Sequence, residues 1–514
     1  MSKITITKAA LDKAPAAFTD KPLIAPAGFR EYDARWLLDS QINLSGMRVL
    51  GLGLGTILYE LADIDETKAN EPRIIVGHDF RAYSQSVKEA LIYGLIEAGW
   101  QVYDIGLALS PMAYFAQFAL DISCVAMVTA SHNENGWTGV KMGAKPPLTF
   151  STEEMGLLRR IVLENGLEDK IKKRAGGAYF SVENMAAHYM ADLTARPKLP
   201  YPLKTVIACG NGTAGAFAPQ VLAAIGADLV PLHCELDPSF PHYEPNPESL
   251  KMLHDLRDKV LATKADIGFA FDGDGDRCGV IDNQGRIIFA DKIGVLLARH
   301  FAATQNHARF IADIKSTGLF MSDPILKKHG AQTDYWKTGH SYMKQHLHMT
   351  GALAGFEKSG HFFFNAPIGR GYDDGILAAL ALCDMLAENK PHSMADLYDS
   401  LPQTWSSPTM APYCADDAKY NVVARATAYF ETCQKQGKKL LGQAIENVVT
   451  VNGVRVTLAD GTWGLIRASS NKPSLVVVVE SPVGEQNMRA MFDLLDKHLS
   501  SYVEIGEYDQ KLES

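Results

Sequence analysis

An α/β protein of three similar units followed by a smaller α+β domain is what the sequence predicts, and three observations predict it. Apolar strand patterns at 73–76, 205–208 and 310–314 each run into a polar or glycine-containing loop and then a helical pattern. Each is followed by a second apolar strand that ends in a chemically rich loop: 125–128 before TASHNENG, 267–271 before DGDGDR, and 352–355 before FEKSGH. The tail differs in kind, with an alternating strand at 453–458, a turn at Asp460 and Gly461, further strands at 463–467 and 475–479, and Met488, Met491, Phe492, Leu495 and Leu499 at helical spacing. A chain of 514 residues is too long for one ordinary core. Soft boundaries near 182, 290 and 405 divide it into 1–182, 183–290, 291–405 and 406–514. In open α/β sheets ligands gather beyond the carboxyl ends of the strands, so three units with mixed sheets facing a central cleft would offer it one loop apiece.

In the first unit the loop Thr129 to Asn135 sets Ser131 between Ala130 and His132 directly after a strand. A serine in such a loop is either a turn or cap residue or a nucleophile. The GxSxG elbow of esterases is absent, because no glycine flanks it.

The second unit carries the most informative run of the chain, FDGDGDR at 271–277. Asp272, Asp274 and Asp276 stand at every second position with glycines between, and the missing Cβ atoms let the backbone turn tightly enough to bring three carboxylates around one hard cation. Mg²⁺ suits such a short loop, since it keeps part of its shell for water and phosphate. An EF-hand would need glycine and glutamate where Arg277 and Asn283 stand. The flanking apolar runs place the loop between buried strands instead of in a solvated acidic turn. A rival reading stays open at this point, with Asp272 as an aspartyl-phosphate nucleophile.

Composition bounds the rest. Apolar residues at 47% suffice for several cores, and a formal charge of -9 excludes a general binder of nucleic acid or anionic membrane. Seven cysteines, odd in number, scattered and without a CxxC pair, suggest neither a disulfide scaffold nor a zinc site and fit a reducing compartment. The N-terminal run lacks the apolar core of a signal peptide and no apolar stretch reaches membrane-spanning length, so a soluble cytoplasmic protein is expected.

Taken in order, TASHN with the following GVKM, FDGDGDR, the ExSGH run at 357–361 and RAS at 467–469 resemble the α-D-phosphohexomutase superfamily, most closely the bacterial phosphomannomutase/phosphoglucomutase family. FREYDAR at 29–35, CGNGTAG at 209–215 and WKTGH at 336–340 extend the resemblance over nearly the whole chain. It implies three α/β domains and a smaller fourth domain around one cleft. Ser131 would carry a phosphoryl group, with Asp272, Asp274, Asp276 and Ser131 itself around Mg²⁺. Tyr32 and Arg35 would close over the phosphoserine, and Lys141, Lys315, His340, His361, Arg35 and Arg277 would surround the reacting oxygen, His340 being the favoured acid or base and Lys141 the second. Glu357 and Ser359 would bridge sugar hydroxyls. Arg467 would fork onto a phosphate, helped by Ser469, Ser470 and Asn471.

The implied activity is interconversion of hexose 1-phosphate and hexose 6-phosphate, of mannose or glucose, through a hexose 1,6-bisphosphate that also serves as activator. Phosphoglucosamine mutase is the neighbouring alternative, and a Mg²⁺-dependent sugar phosphatase the alternative of another class. Partners are small sugar phosphates, without nucleic acid or membrane, for a monomer or homodimer. The chain departs from the family pattern at Trp36 in place of a glycine, His78 in place of an arginine, Phe356 and Lys358 in place of glycine and methionine, and Ser470 and Asn471 in place of asparagine and threonine.

Overall fold

The computed structural model describes residues 3–11, 20–62, 72–164, 173–470 and 472–512. Two compact units emerge, Met1–Ala290 with Ser359–Ala395, and Asp291–Lys358 with Asp396–Ser514.

The first unit holds two mixed sheets. One has seven strands in the order Thr5–Ala9, Ala178–Glu183, Gln101–Leu107, Arg73–His78, Cys124–Val128, Trp137–Gly143 and Ala34–Leu37. Its inner strands run parallel, while Thr5–Ala9, Trp137–Gly143 and Ala34–Leu37 join antiparallel. Cys124–Val128 is buried at every position, as a strand covered on both faces must be. That coverage explains why its sequence reads as an uninterrupted apolar run. Helices Leu44–Leu61 and Ser84–Glu97 cross closely at a glycine pair: a Cβ on Gly51 would meet the Leu91 carbonyl oxygen at 2.2 Å, and one on Gly94 the Arg48 carbonyl oxygen at 2.0 Å.

The other sheet of this unit orders Ile287–Ile288, Cys278–Asp282, Ile267–Phe271, Lys204–Ala208 and Asp228–Leu232. Ile267–Phe271 lies parallel to Lys204–Ala208 and antiparallel to Cys278–Asp282, so the acidic run is the connection between two buried neighbours. Helix Gly375–Glu388 starts against that connection, with Gly375 N–H donating to the Gly275 carbonyl at 3.1 Å.

In the second unit Gln332–Trp336, Arg309–Asp313 and Ala354–Phe356 form a parallel set. The last strand starts two residues later than its sequence suggests, because pairing begins where Ala354 meets Phe310. An antiparallel sheet follows in the order Trp405–Ser406, Leu475–Ser481, Trp463–Ala468, Val454–Leu458 and Ile445–Val449. Helices Lys419–Lys435 and Glu485–Leu499 supply its core, and Met488, Met491, Phe492, Leu495 and Leu499 are all buried there. Of the two edge strands, Trp405–Ser406 has too few residues to announce itself in the sequence, and Ile445–Val449 is too exposed to show an apolar pattern.

Candidate active site

Ser131 sits just past the end of Cys124–Val128 with φ of 52°, a left-handed conformation that a serine adopts only when its surroundings hold it. The surroundings are Asp79 and Arg81, both buried. Asp79 accepts from Thr129 Oγ1 at 2.8 Å, the Ala130 N–H at 3.2 Å and Ser84 Oγ at 2.5 Å. Arg81 donates to the carbonyls of Ser131 at 3.0 Å, Asn133 at 2.7 Å and Glu134 at 3.0 Å. Arg35 holds the same loop from the other strand edge, through the Ala130 carbonyl at 3.0 Å and Asn133 Oδ1 at 2.8 Å, while Asp33 pairs with its guanidinium.

Ser131 Oγ donates to Asp272 Oδ2 at 3.0 Å, which joins the two most informative motifs of the chain. Asp272, Asp274 and Asp276 are fully buried, and one oxygen from each lies within 4.8 Å of the others. Lys141 Nζ reaches Asp274 Oδ2 at 2.6 Å and Asp276 Oδ2 at 2.5 Å, and Ser110 Oγ donates to Asp274 Oδ2 at 2.7 Å. Asp274 Oδ1 and Asp276 Oδ1 are buried and accept no hydrogen bond among the described residues, His361 Nδ1 lying 3.6 Å from the latter. Burial and the two neighbouring carboxylates push Asp272 well above the usual carboxylate range. Burial acts the same way on Asp274 and Asp276, but the Lys141 ammonium outweighs it and holds both below that range. Burial would lower Lys141, yet its two carboxylates raise it well above an ordinary lysine.

The carboxylates of Asp272, Asp274 and Asp276, two of whose oxygens accept no hydrogen bond among the described residues, and the Ser131 hydroxyl form a hard, all-oxygen donor set. That set fits Mg²⁺. Arg277 borders it, its N–H on Asp272 Oδ1 at 3.2 Å and its Nε donating to His361 Nε2 at 2.9 Å. With Nε2 accepting, the imidazole proton lies on Nδ1, 2.8 Å from Asp373 Oδ2. Tyr32, buried, precedes the Ala34–Leu37 strand that positions Arg35.

The second unit gathers Lys315, His340 and Glu357 around a residue that the sequence did not single out. Asp313, fully buried at the end of its strand, accepts from Ser316 Oγ at 2.5 Å, Thr338 Oγ1 at 2.8 Å and the Lys358 N–H at 3.2 Å. It therefore ties together the loops that carry Lys315, His340 and Glu357. Glu357 Oε1 accepts from Gly339 N–H at 2.8 Å, next to His340 at the start of helix His340–Thr350. Ser359 is nearly buried and opens the segment grouped with the first unit.

Arg467, near the end of Trp463–Ala468, is buried and donates to the Ala468 carbonyl at 2.9 Å, while its Nε has no partner among the described residues. Ser469 and Ser470 follow in the same loop, which Lys419 braces through the carbonyls of Ser469 at 2.6 Å and Lys472 at 3.2 Å. Asn471 lies outside the described residues.

The departures from the family pattern find local compensation. Trp36 is fully buried, and a Cβ on Gly28 would fall 1.8 Å from its Nε1. Phe356 stacks on Phe320 in the core, with Gly294 leaving room for its ring, so this substitution concerns packing. Lys358 Nζ lies 4.0 Å from Asp291, which balances its charge. Burial and Lys88 hold the His78 imidazole below its ordinary range, and its Nδ1 lies 2.9 Å from the Asp79 carbonyl.

Asp79, Arg81, Asp313 and Asp373 escaped the sequence reading. The only signal available was position: each stands at or just beyond the end of a strand, or beside a run of charged residues, where a buried acid serves as a staple.

Comparison with known proteins matches the chain in order to four family descriptions, Phosphoglucomutase/phosphomannomutase alpha/beta/alpha domain I over residues 26–168, domain II over 183–285, domain III over 289–405, and the C-terminal domain over 414–497. The chain is 34% identical over 453 residues to a phosphomannomutase/phosphoglucomutase of Pseudomonas putida, covering 88% of this chain and 91% of that protein. It is 32% identical over 453 residues to a phosphoglucomutase of Neisseria gonorrhoeae, covering 88% and 92%. A crystal structure of a phosphoglucomutase/phosphomannomutase family protein from Burkholderia thailandensis superposes with a TM-score of 0.81 at 30% identity, over 93% of this chain and 98% of that one.

Proposed function

We propose that this chain, which belongs to the phosphoglucomutase/phosphomannomutase family, interconverts hexose 1-phosphate and hexose 6-phosphate with Ser131 as the phosphoryl carrier. The observation that carries the reading is the Ser131 hydroxyl, held in a left-handed turn and hydrogen-bonded to the acidic loop. Asp272, Asp274, Asp276 and Ser131 Oγ would hold Mg²⁺, which when bound neutralises charge on the phosphoryl in transfer. That arrangement supports Asp272 as a ligand over Asp272 as nucleophile.

Phospho-Ser131 donates its phosphoryl to the free hydroxyl of a hexose monophosphate; the hydroxyl's proton leaves as the O–P bond forms, and the Ser131 oxygen departs. The resulting hexose 1,6-bisphosphate turns over and returns its other phosphate to Ser131. Lys141 holds Asp274 and Asp276 in place and supplies positive charge, a task for a permanent ammonium. His340 is the acid or base for the sugar proton, in keeping with its position beside the Glu357 loop. Glu357 and Ser359 take sugar hydroxyls. Arg467, with its unused Nε, takes the phosphate remote from the serine, and Ser469, Ser470 and Asn471 complete that grip.

No helix of the described residues is long and apolar enough to cross a membrane. We read the protein as a cytoplasmic, Mg²⁺-dependent enzyme of small sugar phosphates, monomeric or homodimeric. A phosphorus NMR time course with Mg²⁺, a trace of hexose 1,6-bisphosphate and mannose, glucose or glucosamine 1-phosphate tests the whole reading. Appearance of a 6-phosphate establishes the mutase and its fastest sugar. Inorganic phosphate alone makes the protein a phosphatase, and no conversion of any sugar removes the reading.

A further inference from the structure

Of the seven cysteines, two meet. Cys209 ends the run after Lys204–Ala208, Cys234 ends the run after the parallel strand Asp228–Leu232, and their sulfurs lie 3.6 Å apart. Two backbone bonds keep them in register, Cys209 N–H to the Leu232 carbonyl at 3.2 Å and Asn211 N–H to the His233 carbonyl at 2.8 Å. Gly210, Asn211 and His233, the neighbours of the pair, all take positive φ. Cys209 is buried and Cys234 half-buried, so one thiol is reachable from solvent and the other stands behind it. Burial pushes the thiols of Cys124, Cys209, Cys278, Cys383 and Cys414 up, whereas the hydrogen bond between Cys234 and Cys209 holds Cys234 below the ordinary thiol range. A half-buried thiol with a second sulfur directly behind it is the arrangement in which reversible oxidation occurs.

The pair is also wired to the acidic loop. Cys209 opens the CGNGTAG run, in which Thr213 N–H donates to the Gly273 carbonyl at 3.3 Å and Thr213 Oγ1 accepts from Phe80 N–H at 2.8 Å. On the far side, a Cβ on Gly215 would lie 2.0 Å from the Cys234 carbonyl oxygen, so the run cannot shift toward that strand without collision. Bringing the sulfurs from 3.6 Å to bonding distance, about 2.05 Å, takes a shift shared between the two side chains and the backbone at Cys209 or Cys234. Movement at Cys209 passes to Thr213, and from there to Gly273 between two of the carboxylates.

We propose that Cys209 and Cys234 are a peroxide-sensitive modification site, closing to a disulfide that displaces the 209–215 loop and slows the enzyme until a thiol reductant reopens it. Cys234 sulfur attacks one oxygen of hydrogen peroxide, the O–O bond breaks, and water leaves behind a Cys234 sulfenic acid. Cys209 sulfur then attacks Cys234 sulfur, the S–O bond breaks, and a second water carries off the Cys209 proton. The two thiols are oxidised by two electrons and one peroxide is reduced to two waters.

The test treats the full-length folded protein, with Mg²⁺, with hydrogen peroxide, blocks remaining thiols with N-ethylmaleimide, and maps peptides without reduction. The expected result is a linked pair of peptides containing Cys209 and Cys234, lost on dithiothreitol. In C209S a dimedone adduct should accumulate on Cys234, and C234S should yield neither product while keeping its basal turnover. Turnover of the linked protein should fall about tenfold and recover with dithiothreitol, since misplacement near a reacting centre by about 1 Å costs up to 100-fold. Full maleimide labelling of both cysteines after peroxide overturns the proposal, and so does a linked protein with unchanged turnover. The turnover arm rests on the mutase reading, whereas the peptide map stands without it, so the two failures are distinguishable.

Discussion

Two buried carboxylate clusters, one in each unit, differ in how completely they are satisfied. In the second unit Glu480 is fully enclosed, yet Lys292 lies 2.9 Å away, and Thr317, Thr404, Ser406, Trp463 Nε1 and Gly318 N–H all donate to it. Burial would raise it, but Lys292 and these donors hold it far below the usual carboxylate range. In the first unit Asp274 and Asp276 share the one ammonium of Lys141, Asp272 has Arg277 at 3.7 Å, and Asp274 Oδ1 and Asp276 Oδ1 accept no hydrogen bond among the described residues. Glu480 binds the antiparallel sheet to the 317–318 loop and needs nothing more. The acidic loop keeps carboxylate oxygens that accept no hydrogen bond among the described residues, the donor set proposed for Mg²⁺. Burial alone therefore does not separate the acidic loop from Glu480; what separates them is how completely the carboxylate oxygens are satisfied.

The comparison breaks first at Ser131. S131A removes the proposed phosphoryl carrier while leaving every carboxylate in place, so turnover should fall by about 10⁴-fold or more. The protein should keep its melting temperature, and phosphate labelling by hexose 1,6-bisphosphate should vanish. Residual mutase activity near the wild-type level would assign the carrier elsewhere.

E480Q is the converse. It keeps shape but leaves Lys292 buried without its counter-charge, which should cost about 3–5 kcal/mol of stability. The loss should appear as a lower midpoint in thermal and urea unfolding, with turnover per folded molecule little changed. The pH dependence has a definite sign: Glu480 is depressed in the folded protein, so its contribution is complete above the unfolded carboxylate range near pH 4.3 and fades as pH falls below it. The midpoints of wild type and E480Q should therefore converge in acid. Parallel curves from pH 7 down to pH 3 would show that the pair carries no net stabilisation.

Much of this organisation was legible in the residues. Ile267–Phe271 and Cys124–Val128 announced themselves as buried strands because both faces of their sheets are covered, leaving no polar positions to obscure the pattern. FDGDGDR was legible because its chemistry is local: three carboxylates in five residues need no long-range fold to meet. Arg81, Asp313 and Glu480 were not, because each acts across a long stretch of chain. Arg81 reaches carbonyls some fifty residues on, and Glu480 takes donors more than 160 residues before it. On the page each is one more surface charge until the sheets bring its partners to it. The grouping of Ser359–Ala395 with the first unit was illegible for the same reason.

The staple beneath Ser131 gives the next effect in size. R81A deletes the donors to three loop carbonyls and so loosens the turn that holds Ser131; as a positioning residue its loss should lower kcat about 100-fold with KM nearly constant. R81K, which keeps one donor, should recover part of it. A KM rise with unchanged kcat would make Arg81 a binding residue.

R467K sharpens the comparison at its gentlest point. Arg467, like the acidic loop, has an unsatisfied buried atom, but a neutralising partner would here be an anion. Lysine preserves the charge and removes the planar fork, so the phosphate should be held by a point charge in place of two directed N–H groups. The expected result is a KM about tenfold higher, or about 1.4 kcal/mol, with kcat within a factor of about two. Because the same loop would grip the phosphate of either isomer, the increase should be equal for hexose 1-phosphate and hexose 6-phosphate. An increase confined to one direction would mean that the loop recognises one end of the sugar and that another group serves the other.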